Sequence, residues 1–223
     1  MKFINTYNSP NYNRRKKFSN IRYIIIHYTA MNNEKEAINY LINKNTKVSS
    51  HFLINKLGSV YKLVDLKNRA WHAGLASWKN IKDINSHSLG IELDNTGNQK
   101  FQLKQIQSLI LLLSYLTTKY KINKNCILGH SDISPYRKID PGKKFPWNIL
   151  ASKKFTILPK IPNINISLKI ENYLNKQNFK SKKQKVLFML KKIGYDIKPS
   201  LNNTQKYKNL IKAYQMHYKN NII

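Results

Sequence analysis

Between Ile21 and Tyr28 the chain reads IRYIIIHY, a run of β-branched and aromatic residues around Ile24-Ile25-Ile26. Three consecutive isoleucines leave no polar face, so the segment predicts a central strand buried on both sides. Such a strand needs cover on two faces and neighbours on two edges, which commits the chain around it to a layered domain. The cover is legible. Asn33 followed by Glu34, Glu36, Ala37, Ile38, Leu41 and Ile42 supplies an N-cap candidate, an acidic first turn and an apolar stripe, and predicts a helix. Ile106, Leu109, Ile110, Leu113 and Leu116 predict a long buried helix over 103–120. SHFLIN and SVYKLVD flank Lys56-Leu57-Gly58 as a hairpin with a glycine turn. Ser88 to Asn95 alternates as a strand, with Ile91 and Leu93 facing one way and Glu92 and Asp94 the other. Cys126-Ile127-Leu128 is long enough for one further strand, ending at Gly129-His130. The expected fold class is α/β, a mixed central sheet flanked by helices.

At 223 residues the chain has room for about one and a half domains. Residues 1–20 are polar and read as an irregular lead-in; 21–150 hold the α/β domain; 151–165, with Pro159 and Pro162, read as a linker. The rest, 166–223, carries three helical patterns, roughly 168–178, 182–193 and 204–219, and predicts a small three-helix domain. No apolar stretch is long enough to span a bilayer. The lone Cys126 excludes an intrachain disulfide framework. The formal charge of +30 is spread as +16 over the first 150 residues and +14 over the remainder, carried by 35 Lys and only 5 Arg. A dedicated nucleic-acid surface concentrates charge and uses Arg for bidentate contacts. This pattern instead predicts weak, salt-sensitive attraction to polyanions and no specific nucleic acid.

His27 ends the first strand and His130 the last; functional side chains gather at such strand ends because the strand fixes the Cα while the loop stays free. Asp140 follows in HSDISPYRKIDPGKKFPW, a loop stiffened by three prolines. Two imidazoles and a carboxylate, with water completing the set, fit a catalytic zinc site, the alternative being ordinary solvated or core-edge histidines, and on spacing alone Asp132 rivals Asp140 as the carboxylate. Glu92 stands in an otherwise apolar strand, either wetted or facing a cleft as an acid–base group. Lys138 is placed to steady negative charge on a carbonyl oxygen. Cys126 sits in an apolar strand, a poor setting for a nucleophile. His87 and His217 read as solvated bystanders, and His51 as a structural residue at a strand start.

Taken in order, IIIHYTA, SHFLINKLGSVYKLVD, WHAG, SLGIELDNTG and GHSDISPYRKIDPGKKFPW span residues 21–148. Together they resemble the bacterial zinc-dependent N-acetylmuramoyl-L-alanine amidases of the amidase type 2 group, relatives of the peptidoglycan recognition proteins. The resemblance implies His27, His130 and Asp140 as ligands of one Zn²⁺, Glu92 as the catalytic glutamate and Lys138 as the active-site lysine. It places Trp71 and His72 beside the substrate groove. It also implies a monomer acting on peptidoglycan or muropeptides, hydrolysing the amide between the lactyl group of N-acetylmuramic acid and L-alanine. A non-catalytic wall-binding module, and more remotely a polyanion-binding protein, are the competing expectations.

More faintly, VLFMLKKIGYDI and LIKAYQMHY resemble the three-helix peptidoglycan-binding domain of the periplasmic two-domain branch. Leu201, Thr204 and Tyr207 stand where that domain shows Gly, Asp and Thr, so the helices are expected to survive and glycan binding through that loop is in doubt. The two-domain layout implies periplasm or cell envelope. The polar start Met1-Lys2-Phe3-Ile4-Asn5, without an apolar leader or lipid-bearing cysteine, fits the cytoplasm instead, and the two expectations stand side by side.

Overall fold

A computed structural model of the chain describes residues 2–15, 17, 19–159 and 164–219. In chain order the elements are β1 (Tyr12–Arg14), β2 (Tyr23–Tyr28), α1 (Glu34–Ile42), β3 (Phe52–Ile54), β4 (Val60–Lys62), β5 (Asn68–Ala70), α2 (Ile84–His87), β6 (Ser88–Leu93), α3 (Leu103–Tyr120), β7 (Ile127–Gly129), α4 (His130–Ile133), α5 (Trp147–Ser152), α6 (Ile164–Asn175), α7 (Lys182–Ile193) and α8 (Thr204–Tyr218). Five strands form the central sheet in the order β4-β3-β6-β2-β7. Only the β3–β4 hairpin is antiparallel; β3–β6, β6–β2 and β2–β7 run parallel, giving the mixed sheet that the isoleucine run requires.

Strand alternation sorts side chains between the two faces. Ile24 and Ile26 of β2, with Leu89, Ile91 and Leu93 of β6, pack under α3 through Ile106, Leu109, Leu113 and Leu116. Tyr23 and Ile25 point the other way and share a cluster with Leu187 and Leu190 of α7 and with Leu210 and Ala213 of α8. The C-terminal helices therefore bury their apolar stripes against the sheet face. Each fully buried leucine contributes about 1.5–3 kcal/mol to that contact. Gly194, at φ 140°, permits it: a Cβ there would come within 2.6 Å of the buried Trp78 ring, and the Gly194 carbonyl accepts the Lys79 N–H at 2.8 Å. α1 starts as its sequence dictates, with Asn33 accepting the Glu36 N–H at 3.0 Å.

Four expectations are corrected. The lead-in is ordered: β1 pairs antiparallel with β5 in a separate two-stranded sheet, and Ile4 bridges Tyr61. A three-residue strand whose partner, Asn68–Ala70, lies far along the chain leaves too short a pattern to read. Cys126 belongs to a 3-10 turn rather than to the strand, which begins at Ile127. The proline-rich loop ends in a helix, α5, that buries Trp147 and Leu150 and runs past residue 150 to Ser152. α6 starts at Ile164, ahead of the expected 168, and residues 160–163 of the expected linker lie outside the described residues. Among the described residues no helix is long and apolar enough to cross a membrane.

The two faces of α3 give a direct check on this packing. Leu113→Ala, at a fully buried position, is expected to lower unfolding free energy by about 2–5 kcal/mol in urea titration. Leu111→Ala, at a position 61% exposed on the same helix, should change it by no more than about 0.5 kcal/mol.

Candidate active site

β2 and β6 are in register with His27 opposite Glu92, and both side chains emerge on the sheet face away from α3. β7 ends at Gly129, and α4 begins with His130. Asp140 lies on the loop beyond, its carbonyl accepting the Ser131 N–H at 2.9 Å. These elements bring His27 Nδ1, His130 Nδ1 and Asp140 Oδ2 into a triangle with 3.0 Å on each side. All three residues are buried.

The hydrogen bonds behind the triangle favour one set of ring tautomers. Ser88 donates its hydroxyl to the Ile84 carbonyl at 2.7 Å, so its oxygen is left to accept from His72 Nε2 at 3.1 Å. A neutral His72 then carries its lone pair on Nδ1, which meets His27 Nε2 at 3.0 Å. His27 donates there and keeps its own lone pair on Nδ1. On the other side His130 Nε2 meets the Ala73 carbonyl at 3.1 Å, which places the proton on Nε2 and, in the neutral ring, the lone pair on Nδ1. Burial, then the neighbouring His130, lower the His27 pKa to about 4, so His27 is neutral near pH 7. Burial also lowers His72 well below its ordinary value. Burial pushes the Asp140 carboxyl up, but His130 and His27 outweigh it and hold the group well below the usual carboxylate range.

With those far nitrogens donating and the rings neutral, His27 Nδ1, His130 Nδ1 and Asp140 Oδ2 would present three electron-pair donors to one another. Such a set repels itself unless a cation lies among them, and the chemistry fits a metal ion: two imidazole nitrogens, one carboxylate oxygen and a position left open. His27 Nδ1, His130 Nδ1 and Asp140 Oδ2, 3.0 Å apart, would hold such an ion. Among the described residues this is the group of His, Cys, Asp and Glu side chains able to hold a metal ion.

The triangle forms the floor of a cleft of about 620 Å³. Glu92 and Lys138 line it, with Tyr28, Tyr40, Trp71 and Arg137 on its walls. Glu92 is 9% exposed, and its Oε2 makes no hydrogen bond. Burial, reinforced by Asp140 and opposed by Lys138, raises its pKa to about 8. Trp71 is clamped from the lead-in, its Nε1 donating to Asn13 Oδ1 at 2.5 Å. His72 also borders the cleft, yet both its ring nitrogens are engaged within the protein, and its ring lies over Gly90, where a Cβ would approach to 2.5 Å. His72 thus supports His27 from the edge of the cleft.

Other histidines sort differently from their sequence reading. His51 is structural, as expected: it is buried and accepts the Gly90 N–H at 3.0 Å. His217, expected in solvent, is 2% exposed and bonded to Asp132 at 2.7 Å. Asp132, the spacing rival of Asp140, is turned away from the triangle, its oxygens taken by Gly129, Tyr195 and His217. Burial pushes the Cys126 thiol up, and its side chain packs against the cores rather than the cleft. Sequence reasoning also missed Arg15, whose guanidinium donates to the carbonyls of Leu66, Asn85, Ser86 and Ser88. It missed Asn85 as well, whose Oδ1 accepts the N–H groups of His72 and Ala73. Asn85 carried no signal in a chain rich in asparagine, and Arg15 was one of a basic run.

A His-His-Asp group able to hold a metal ion, in a cleft lined by Glu92 and Lys138, is the arrangement of a metal-assisted hydrolase. The family model described as N-acetylmuramoyl-L-alanine amidase matches residues 17–143, and the chain belongs to that family. The N-acetylmuramoyl-L-alanine amidase AmiD of Escherichia coli (strain K12) is 33% identical over 220 residues, covering 91% of this chain and 76% of AmiD. The 1,6-anhydro-N-acetylmuramyl-L-alanine amidase AmpD of Haemophilus influenzae is 33% identical over 157 residues, 62% of this chain and 85% of AmpD. The solved complex of E. coli AmiD with anhydro-N-acetylmuramic acid-L-Ala-D-gamma-Glu-L-Lys has a TM-score of 0.77 to this chain at 31% identity, covering 93% of this chain and 84% of that one.

The raised Glu92 pKa has a stability consequence in metal-stripped protein. The unfolded chain releases this proton near 4.5, the folded chain only near 8. Between those values the unfolded state binds fewer protons, so stability falls as pH rises. Glu92→Gln abolishes the titration. In chelator, Glu92→Gln should melt above the wild type at pH 8, and the gap should close toward pH 5; an equal gap at both pH values would contradict the burial argument.

Proposed function

We propose that this amidase is a zinc enzyme that hydrolyses the amide between the lactyl group of N-acetylmuramic acid and L-alanine, with His27, His130 and Asp140 as the ligands. The observation that carries the reading is the convergence of His27 Nδ1, His130 Nδ1 and Asp140 Oδ2, 3.0 Å apart in the cleft. Zinc held there supplies Lewis-acid polarisation of the scissile carbonyl, lowers the pKa of water and offsets the Asp140 charge that pushes Glu92 up.

Glu92 takes the proton from water as its oxygen attacks the lactyl carbonyl carbon. The C–O bond forms, the carbonyl π pair moves onto oxygen, and Lys138 stabilises the resulting oxyanion by charge. Glu92 then returns the proton to the alanine nitrogen as the C–N bond breaks, so the amine leaves neutral. Trp71, fixed through Asn13, offers an aromatic wall to the sugar or lactyl segment. Since the relatives include enzymes named for 1,6-anhydromuramyl substrates and an AmiD complex with an anhydromuramyl peptide, muropeptides are the substrate class to test first.

A muropeptide digest read by mass spectrometry tests this with purified, chelator-stripped and zinc-restored protein. Free L-alanyl peptides should appear, vanish on stripping and return with zinc. Glu92→Gln should lower kcat by about 10²–10⁴-fold, and Lys138→Ala by about 10²–10³-fold. Absence of cleavage by protein carrying one zinc per chain would overturn the catalytic reading in favour of a wall-binding module.

A further inference from the structure

Two residues beyond His130, Asp132 is fully buried, with three donors from three parts of the chain. The Gly129 N–H meets Oδ2 at 2.7 Å and closes the α4 turn locally. The other two come from the C-terminal segment: His217 Nδ1 of α8 reaches Oδ2 at 2.7 Å, and the hydroxyl of Tyr195, just past the end of α7, donates to Oδ1 at 2.6 Å. His217 is itself held on every side. Its Nε2 faces Thr156 Oγ1 at 3.2 Å, and its ring stacks on Trp147 with centroids 3.6 Å apart and planes 16° from parallel. Tyr218 stacks against it at 4.0 Å.

We infer that α8 braces the metal-binding turn through His217, which makes His217 a positioning residue for His130 and Asp140. The inference rests on the metal reading given above. A buried carboxylate is tolerated only while its lone pairs are met, so Asp132 holds its place as long as His217 and Tyr195 do. Asp132 can recover a lost partner only by shifting the turn that begins at His130. Ser131 carries such a shift to the second ligand, because its N–H donates to the Asp140 carbonyl at 2.9 Å. A ligand triangle with 3.0 Å sides tolerates little of this movement. The His217–Asp132 bond therefore joins the last helix to metal affinity although neither residue touches the ion.

The test measures zinc affinity by competition with a chromophoric chelator, and the visible spectrum of the cobalt-substituted protein, on the full chain. Wild type comes first: failure to bind metal would refute the metal reading itself, whereas tight binding by wild type and all variants alike would refute the bracing alone. His217→Ala should bind zinc about 10–100-fold more weakly while still melting cooperatively. His217→Asn, which returns an N–H donor near the Nδ1 position, should recover part of the loss. The cobalt spectrum of His217→Ala should shift with the altered ligand geometry. A lowered Tm with unchanged zinc affinity and an unchanged cobalt spectrum would overturn the proposal. If His217→Ala does not fold, Tyr195→Phe decides, since it keeps the ring and removes only the hydroxyl bond. Zinc affinity within twofold of wild type in that variant would overturn the proposal, and a larger loss would support it.

Discussion

Everything else in this molecule serves a local arrangement that is unfavourable by itself, three electron-pair donors held 3.0 Å apart. Such an array survives folding only if its members cannot turn away. β2 fixes one donor at the end of a buried parallel strand, and β7 with α4 fixes the second at the end of its neighbour. The far nitrogens are then occupied, His27 by His72 and His130 by the Ala73 carbonyl, so that rotating either ring would sacrifice a buried hydrogen bond. Orientation and tautomer are therefore set by the same contacts.

The same economy governs Glu92. A carboxyl opposite His27 in the strand register, enclosed and without a partner for Oε2, is costly to ionise. Burial raises the proton affinity of the group, and the Asp140 charge raises it further. A cation on the cleft floor works against the second of these effects, so metal loading and the readiness of Glu92 to accept a proton are linked by electrostatics rather than by contact.

What the sequence revealed divides along range of interaction. β2, α1, α3, α7 and the β3–β4 hairpin were legible because their signals are periodic and local, and the α3 bounds agree with the expected 103–120. Glu92 was legible for the same reason, being the polar member of an alternating strand. His27, His130 and Asp140 could be nominated from strand ends and loop stiffness, but choosing Asp140 over Asp132 required the family resemblance. Spacing cannot say which carboxylate turns inward. β1 and the burial of His217 lay beyond reading because each depends on a distant partner, Asn68–Ala70 for the first and Asp132 for the second. The support His72 gives His27 was not legible, since a histidine near a groove looks the same in sequence whether its nitrogens face a ligand or the scaffold.

Asn13 and Arg15 precede the span matched by the family model, and Trp147 and His217 follow it. Yet Asn13 fixes the Trp71 wall, Arg15 ties the lead-in to the carbonyls around α2, and His217 reaches the turn under His130. The working unit is thus wider than the stretch of chain that carries its chemistry. A protein cut back to 17–143 would keep His27, His130 and Asp140 and lose the supports on both flanks, so dissection of this enzyme has to follow its hydrogen bonds and not its motif boundaries.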